Sequence, residues 1–149
     1  MTRRAAWLVL CITLGQAACH KEHPLEPQVL PPDGAIAVDF RTDQQQYRIG
    51  ASAKTTMVNR SPDTITMGVC SDALEREVTG GWAEILPNVA IACIALALIV
   101  PPGDSVTLSY NLILASTPGT YRVRRQFSVQ HGTSSEGMYR RTNTFTVVR

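Results

Sequence analysis

The sequence predicts an all-β domain, an antiparallel sandwich or barrel, and three observations support this fold class. Short runs of alternating polar and apolar residues recur along the chain, and turn-forming Gly, Pro, Asn and Asp separate them. No convincing amphipathic helix interrupts these runs. The 149 residues, of which 44% are hydrophobic, suffice for one domain with a substantial core and exclude a disordered chain.

The alternation places eight strands in order along the chain. In the third of these, Ile65, Met67 and Val69 share one face and polar residues the other, which is the pattern of a half-buried strand. Residues 79–81, Thr-Gly-Gly, predict a hairpin turn, whereas residues 131–137, rich in Gly and Ser, predict a longer loop. The predicted strands are residues 36–40, 51–59, 64–69, 74–78, 82–86, 106–112, 120–129 and 142–148.

Residues 89–100 form a run without charge between two proline-containing turns. Twelve residues are too few to span a bilayer as a helix. The alanines in the run favour a buried helix, but Leu96, Leu98 and Val100 fall on one face opposite smaller side chains, which favours a strand. We predict a strand here, so the domain contains about seven to nine strands.

The first 18 residues are predicted to be a signal peptide. Arg3 and Arg4 precede an apolar stretch of about ten residues, which is too short for a permanent membrane helix, and small residues follow it. Gly15 and Ala17 fit ordinary cleavage before Ala18, which would release a soluble secreted protein.

A competing interpretation assigns lipid attachment to Cys19. The preceding run, Leu-Gly-Gln-Ala-Ala, resembles the lipobox of bacterial lipoproteins, although Gln16 stands where that family prefers an aliphatic residue. Residues 20–34 are polar and contain four prolines, which indicates an extended spacer of about 45 Å. Because a spacer suits an anchored protein, we expect a lipoprotein of the bacterial envelope that faces the periplasm, with residues 19–34 as tether and 35–149 as folded domain.

Cys70 and Cys93 remain when Cys11 leaves with the signal peptide and Cys19 carries the lipid. Two remaining cysteines in an exported domain are expected to form a disulfide bond. The bond would close a loop of 24 residues and contribute roughly 3 kcal/mol. A redox or metal site is disfavoured, because the spacing is not Cys-x-x-Cys and His131 is the single histidine of the folded part.

Seven short motifs follow one another between residues 47 and 127. They are Tyr47-Arg48-Ile49-Gly50, Val58-Asn59-Arg60-Ser61, Cys70 with Leu74-Glu75-Arg76, Gly80-Gly81-Trp82, Cys93, Pro102-Gly103-Asp104-Ser105 and Pro118-Gly119-Thr120-Tyr121-Arg122. In this order they resemble a bacterial immunoglobulin-like (Ig-like) domain of exported proteins and lipoproteins. The resemblance implies an antiparallel β-sandwich in which Cys70 and Cys93 are bonded and Trp82 packs near them. The family carries no catalytic motif, so the resemblance implies a fold and a location but no chemical activity.

Candidate catalytic and metal-binding residues are few. His131 is the candidate base for a hydrolase of the Ser/His/Asp type, but a solvent-exposed histidine in the predicted loop is the ordinary alternative. Glu75 and Glu77 are expected in a solvated hairpin, and His20 and His23 lie in a tether that does not preorganise metal ligands. No zinc spacing or phosphate-binding loop occurs, and charged residues are only 17% of the chain, so we expect no metal, cofactor or nucleic-acid ligand.

A separation of charge is the strongest candidate for a binding site. Residues 121–149 contain six arginines and one glutamate, whereas residues 19–120 contain six basic and eleven acidic residues. Two consecutive strands would place the arginines on one ribbon that suits an acidic protein, an acidic glycan or an anionic lipid headgroup. In the alternative interpretation, some of them pair across strands with Glu75 and Glu77. The candidates are Arg122, Arg124, Arg125, Arg140 and Arg141.

These features together predict a lipid-anchored, non-enzymatic Ig-like domain that binds or scaffolds at the envelope. One alternative is a proteinase-inhibitor-like or peptide-binding module that presents residues 131–137 to a partner. The alternative from another class is a hydrolase that uses His131.

Overall fold

A computed structural model describes residue 33 and residues 36–85 and 96–149. These residues are mostly strand, so the predicted all-β class is confirmed. Among them, no helix has the length and apolarity needed to cross a bilayer. The predicted signal peptide and the lipidated Cys19 lie outside the described residues. The strands are β1 (Val38–Thr42), β2 (Gln46–Arg48), β3 (Ser52–Asn59), β4 (Thr64–Gly68), β5 (Asp72–Val78), β6 (Gly81–Ile85), β7 (Ala97–Val100), β8 (Ser105–Asn111), β9 (Gly119–His131), β10 (Ser134–Arg141) and β11 (Phe145–Val148).

The strands form two sheets that enclose one core, which is the architecture of a β-sandwich. The smaller sheet is antiparallel and has the order β1-β3-β8. The larger sheet is built around the long strand β9, which pairs with β10 and β11 along one edge and with β4 and β5 along the other. Strand β7 extends this sheet from β4, β6 from β5, and β2 from β11 in a parallel pair.

Burial alternates along the strands with the period that the sequence predicts. Ala53, Thr55 and Met57 of β3 are all 0% exposed, and Ile65 and Met67 of β4 belong to the same buried set. Removal of Ala53, Met57, Ile65 and Met67 from water contributes to the main force that joins the two sheets. The long strand β9 contributes Tyr121, Val123, Phe127 and Val129.

The predicted loop at residues 131–137 is wrong. The chain turns in two residues, and Ser134 already pairs with His131 at the start of β10. Gly132 makes this possible because it has a φ of 60°, in the left-handed region that tight hairpin turns require. The first four residues of β10 are exposed and polar on both faces, so they lack the alternation that reveals other strands.

Replacement of Gly132 by Ala is expected to destabilise the domain by about 1 kcal/mol, because an L side chain disfavours a positive φ. The space around Gly132 is open, so the effect comes from the backbone alone. Gly137→Ala is the matched control, since Gly137 lies in β10 without a positive φ and the nearest atom to an added Cβ is 3.9 Å away. Urea unfolding of both variants tests this; equal midpoints would contradict the turn geometry.

Strand β7 confirms the described part of the prediction for residues 89–100. Val100 is buried and Leu98 is half-buried, whereas Ile99 on the opposite face is 69% exposed. The alternation is therefore the predicted one. Residues 86–95, including Cys93, lie outside the described residues.

Strand β2 is an element that the sequence did not predict, because three residues are too few to show a period. Buried Tyr47 fixes it by donating a hydrogen bond to Asp43 Oδ1 at 2.6 Å, and Lys54 N donates to the same oxygen at 2.9 Å. The hydrogen bond from Tyr47 holds the pKa of Asp43 below its usual value. Burial, together with Asp43, raises the pKa of Tyr47 to about 12.

Candidate functional site

The five candidate arginines lie together on the β9–β10 hairpin. Arg124 pairs in register with Arg141, and Arg125 pairs with Arg140. On the other edge of β9, strand β5 brings Glu75 opposite Arg122. The hairpin therefore gathers these arginines as the sequence predicts, and β5 supplies carboxylates beside them.

The pleat of the sheet divides the arginines between its two faces. Arg125 points into the sandwich with its buried neighbours, whereas Arg122 and Arg124 alternate with them and lie on the outer face of the large sheet. We call the group on that face the outer-face cluster. It consists of Arg122, Arg124, Arg141, Glu75 and Glu84.

Glu75 is the centre of the outer-face cluster and is 0% exposed. Arg122 Nε donates to its Oε2 at 2.6 Å, and Arg141 Nε donates to the same oxygen at 3.1 Å. Arg124 Nε lies 2.9 Å from the other oxygen, Oε1, and Arg124 Nη2 donates to Glu84 Oε2 at 2.5 Å. One buried carboxylate thus holds three guanidinium groups that come from two strands.

Aromatic rings lie over two of the three guanidinium groups of the outer-face cluster. The guanidinium carbon of Arg122 lies 3.9 Å from the centroid of the Trp82 ring, and that of Arg124 lies 5.0 Å from the centroid of Tyr139. These are cation–π distances.

Arg125 forms a second charged pair inside the sandwich, where it is 1% exposed. Its Nε donates to Asp72 Oδ1 at 2.6 Å and its Nη2 donates to Asp72 Oδ2 at 2.5 Å, a bidentate pair. The same Nη2 donates to Thr55 Oγ1 at 3.2 Å, and the guanidinium lies 4.6 Å from the Phe40 ring. The pair therefore joins β5 and β9 to both strands β1 and β3 of the smaller sheet.

Comparison with known families decides the classification of this sandwich. The model of a bacterial Ig-like domain matches residues 34–146. The chain belongs to the bacterial Ig-like domain family. No curated protein matches the chain.

Among solved structures, this Ig-like domain is similar to parts of larger enzymes. One is the neutral ceramidase from Pseudomonas aeruginosa, at 14% identity and a TM-score of 0.45 over 84% of this chain and 20% of that chain. Another is the β-glucosidase from Listeria innocua in complex with gluconolactone, at 12% identity and a TM-score of 0.31 over 74% of this chain and 16% of that chain. The Ig-like domain thus spans a fifth or less of either chain.

The burial of Glu75 corrects one expectation for this Ig-like domain. Glu75 and Glu77 were expected in a solvated hairpin, but only Glu77 is exposed. Glu75 is covered because Arg122, Arg124 and Arg141 surround it. The alternative interpretation, in which arginines pair across strands with acidic neighbours, holds for Glu75. Binding of an anionic partner by the five arginines stays a prediction.

His131 is half exposed at the β9–β10 turn. Its Nδ1 lies 3.2 Å from Asp63 Oδ2, and its side chain is 47% exposed. The hydroxyl of Ser134 donates to the main-chain oxygen of His131 at 3.0 Å and not to the ring. This geometry differs from a Ser/His/Asp relay, in which the hydroxyl must bond to the imidazole. Within the described ranges, no three His, Cys, Asp or Glu side chains are grouped to hold a metal ion.

Sequence reasoning missed three carboxylates that contact the arginines, namely Asp33, Asp72 and Glu84. Glu84 lies within the predicted strand 82–86, whereas Asp72 lies two residues before the predicted strand 74–78. Their roles follow only from the register that sets Asp72 opposite Arg125.

Proposed function

We propose that this Ig-like domain is a non-enzymatic binding or scaffolding module of the bacterial envelope. The family match over residues 34–146 is the observation that carries this proposal, since Ig-like domains of this kind are generally non-catalytic and typical of exported proteins. The site geometry supports it as well. The buried carboxylates Glu75 and Asp72 are engaged in ion pairs with arginines of β9, which is a structural role.

The proteinase-inhibitor-like or peptide-binding alternative required an exposed loop at residues 131–137, and the protein has no such loop there. The chain there is a two-residue turn followed by β10. A partner is therefore expected at the sheet faces and edges. Chemical cross-linking in intact envelopes, followed by capture of this protein, tests the binding role. Specific cross-linked partners are expected, and recovery of the protein alone would contradict a binding function.

We further propose that Cys19 carries a lipid that anchors the protein. The apolar stretch, the small residues before Cys19 and the proline-rich spacer support this proposal.

Cys19→Ser is expected to move the protein from the membrane fraction to the soluble fraction, because one acyl-modified residue is the proposed anchor. Cys11→Ser is the matched control, since Cys11 lies in the apolar stretch of the signal peptide. That variant is expected to stay in the membrane fraction. Retention of the Cys19→Ser variant in the membrane would contradict the lipid anchor.

A disulfide bond between Cys70 and Cys93 is the third part of the proposal. Gly68 pairs in register with Ala97, and Val69 N donates to Leu96 O at 3.1 Å, so the chain next to Cys70 runs beside the chain that follows Cys93. Mass analysis of unreduced peptides is expected to find the two cysteines linked. Two free thiols would exclude the bond.

A further inference from the structure

One end of the sandwich is formed by the turn between β2 and β3, the last residues of β11 and a short 3-10 helix that follows β8. Main-chain hydrogen bonds join the turn to both neighbours. Ile49 N donates to Val148 O at 2.9 Å, and Leu112 N, at the start of the helix, donates to Ala51 O at 3.0 Å. We call this surface the β2–β3 end, and it consists of residues 48–52, 112–114 and 148–149.

Two large apolar side chains are exposed at the β2–β3 end. Ile49 is 40% exposed and Ile113 is 66% exposed, so both would gain free energy by leaving water. Gly50 lies at the tip of the turn with a φ of 79°, and a Cβ added there would meet no atom within 4 Å. No other part of the described chain therefore packs on this tip.

Two arginines flank these isoleucines. Arg48 and Arg149 are exposed, and among the residues that the structure describes neither has an acidic partner. Both line one shallow depression, which Gln46 and Ser52 also line. The three arginines of the outer-face cluster, by contrast, already face carboxylates. The β2–β3 end thus presents positive charge that the described protein does not neutralise.

The two ends of the domain differ in charge. The segments around the β2–β3 end contain four basic and two acidic residues, and they are residues 43–54, 76–81, 109–120 and 145–149. Strand β3 runs from this end, where Ser52 pairs with Asn111, to the opposite end, where Val58 pairs with Ser105. The turns at the opposite end contain three acids and one arginine, and they are residues 59–63, 101–104 and 130–136. An anionic surface would therefore attract the domain by its β2–β3 end.

We infer that the β2–β3 end docks on an anionic membrane surface, with Arg48 and Arg149 at the lipid phosphates and Ile49 and Ile113 at the hydrocarbon boundary. The inference rests on the proposed location at the envelope and names a membrane as a partner of this domain. A bilayer is the occupant because it offers phosphates and, just beneath them, apolar chains, so it suits both kinds of exposed side chain. A soluble phosphate or an acidic glycan would leave the isoleucines in water.

The proposed lipid on Cys19 makes a weak contact sufficient. A spacer of about 45 Å keeps the domain near the bilayer, so docking is an intramolecular step at a high effective concentration. The few side chains of the β2–β3 end do not replace an acyl anchor, and salt screens the attraction of the arginines to lipid. A salt wash therefore removes docked Cys19→Ser protein, so that its fractionation still reports the lipid anchor alone.

Sedimentation with lipid vesicles tests the docking. Every protein in this experiment carries Cys19→Ser, so the lipid is absent and the segment before the domain is the same throughout. Vesicles of phosphatidylglycerol mixed with phosphatidylcholine are expected to bind the protein more tightly than vesicles of phosphatidylcholine alone, and added salt is expected to remove the difference. Arg48→Gln is expected to weaken binding to the mixed vesicles about fivefold. Arg60→Gln, the matched control, lowers the net charge equally but at the opposite end, and is expected to leave the affinity unchanged.

A second pair of variants tests the apolar contact. Ile113→Ser is expected to weaken binding to the mixed vesicles about threefold, because the exposed side chain no longer gains from leaving water. Ile99→Ser is the matched control, since Ile99 is 69% exposed but lies in β7, outside the β2–β3 end. It is expected to leave the affinity unchanged. Thermal unfolding verifies that all variants are folded.

Three results would overturn the inference. They are equal losses of affinity in Arg48→Gln and Arg60→Gln, equal binding to both kinds of vesicle, and no binding to either kind, which would instead favour an acidic protein as the occupant. None of them affects the cross-linking experiment, which detects protein partners at any surface. Failure of membrane docking and failure of the proposed binding role therefore remain distinguishable.

Discussion

Replacement of Glu75 by Gln is expected to lower the free energy of unfolding by about 3 kcal/mol. The buried carboxylate neutralises guanidinium groups from Arg122, Arg124 and Arg141. An amide of the same shape leaves these three charges close together without the buried carboxylate that neutralises them. The three arginine side chains keep exposures of 19%, 11% and 10%. Partial hydration therefore places the expected loss at the lower end of the range for broken buried pairs.

Glu77→Gln is the matched control for this experiment. Glu77 lies two residues further along β5 and is exposed, so its replacement is expected to change the stability by less than about 0.5 kcal/mol. Urea unfolding followed by tryptophan fluorescence measures both variants. A Glu75→Gln protein as stable as the control would show that the carboxylate does not hold the outer-face cluster together.

Removal of one partner of the Arg125–Asp72 pair is expected to have the largest effect in the domain. Arg125→Met leaves Asp72, whose side chain is 8% exposed, without its bidentate partner. Asp72→Asn leaves the guanidinium, which is 1% exposed, without a counter-charge. Each single change is expected to cost about 4 kcal/mol, because a charge that is buried and unpaired has lost its hydration without compensation.

The double variant distinguishes this explanation from simple loss of packing. If the cost comes from the uncompensated charge, Arg125→Met combined with Asp72→Asn is expected to cost no more than either single change. A loss of stability in the double variant equal to the sum of the two single losses would contradict the explanation.

The exposed pair of Arg60 and Asp39, with side chains 62% and 50% exposed, is the matched control. Replacing either member of that pair is expected to leave the unfolding midpoint unchanged.

Both effects depend on carboxylates whose importance the sequence does not reveal. The sequence predicts Glu75 and Glu77 as two acidic residues of one hairpin, and the neighbouring residues do not indicate that only Glu75 is buried. Its burial follows from side chains on β9 and β10, about 47 and 66 residues further along the chain. Asp72 was likewise a residue next to a predicted strand. Because Asp72 lies opposite Arg125, its charge offsets the free-energy cost of burying the guanidinium group.

Element prediction succeeded where a strand has one buried face and is long enough to show a period. The sequence predicts a strand at residues 51–59, and β3 runs over Ser52–Asn59 with every second residue buried. The short strand β2 and the polar strand β10 were missed because neither shows alternation. Strand β10 exists because main-chain hydrogen bonds to β9 extend over eight residue pairs, which does not require an apolar side chain.

The fold class, the positions of the alternating strands and the concentration of arginine near the end of the chain can all be predicted from the sequence. These are local properties, since side-chain direction in a strand reverses at every residue whatever the strand pairs with. The partners of the arginines, by contrast, depend on how the strands pair in three dimensions. The pleat directs Arg125 inward and Arg122 outward. The register with β5 places Asp72 opposite Arg125 and Glu75 opposite Arg122. Attraction between charges depends on their distance in space and not on their separation in the sequence, so the pairing of strands far apart in the chain sets each partner.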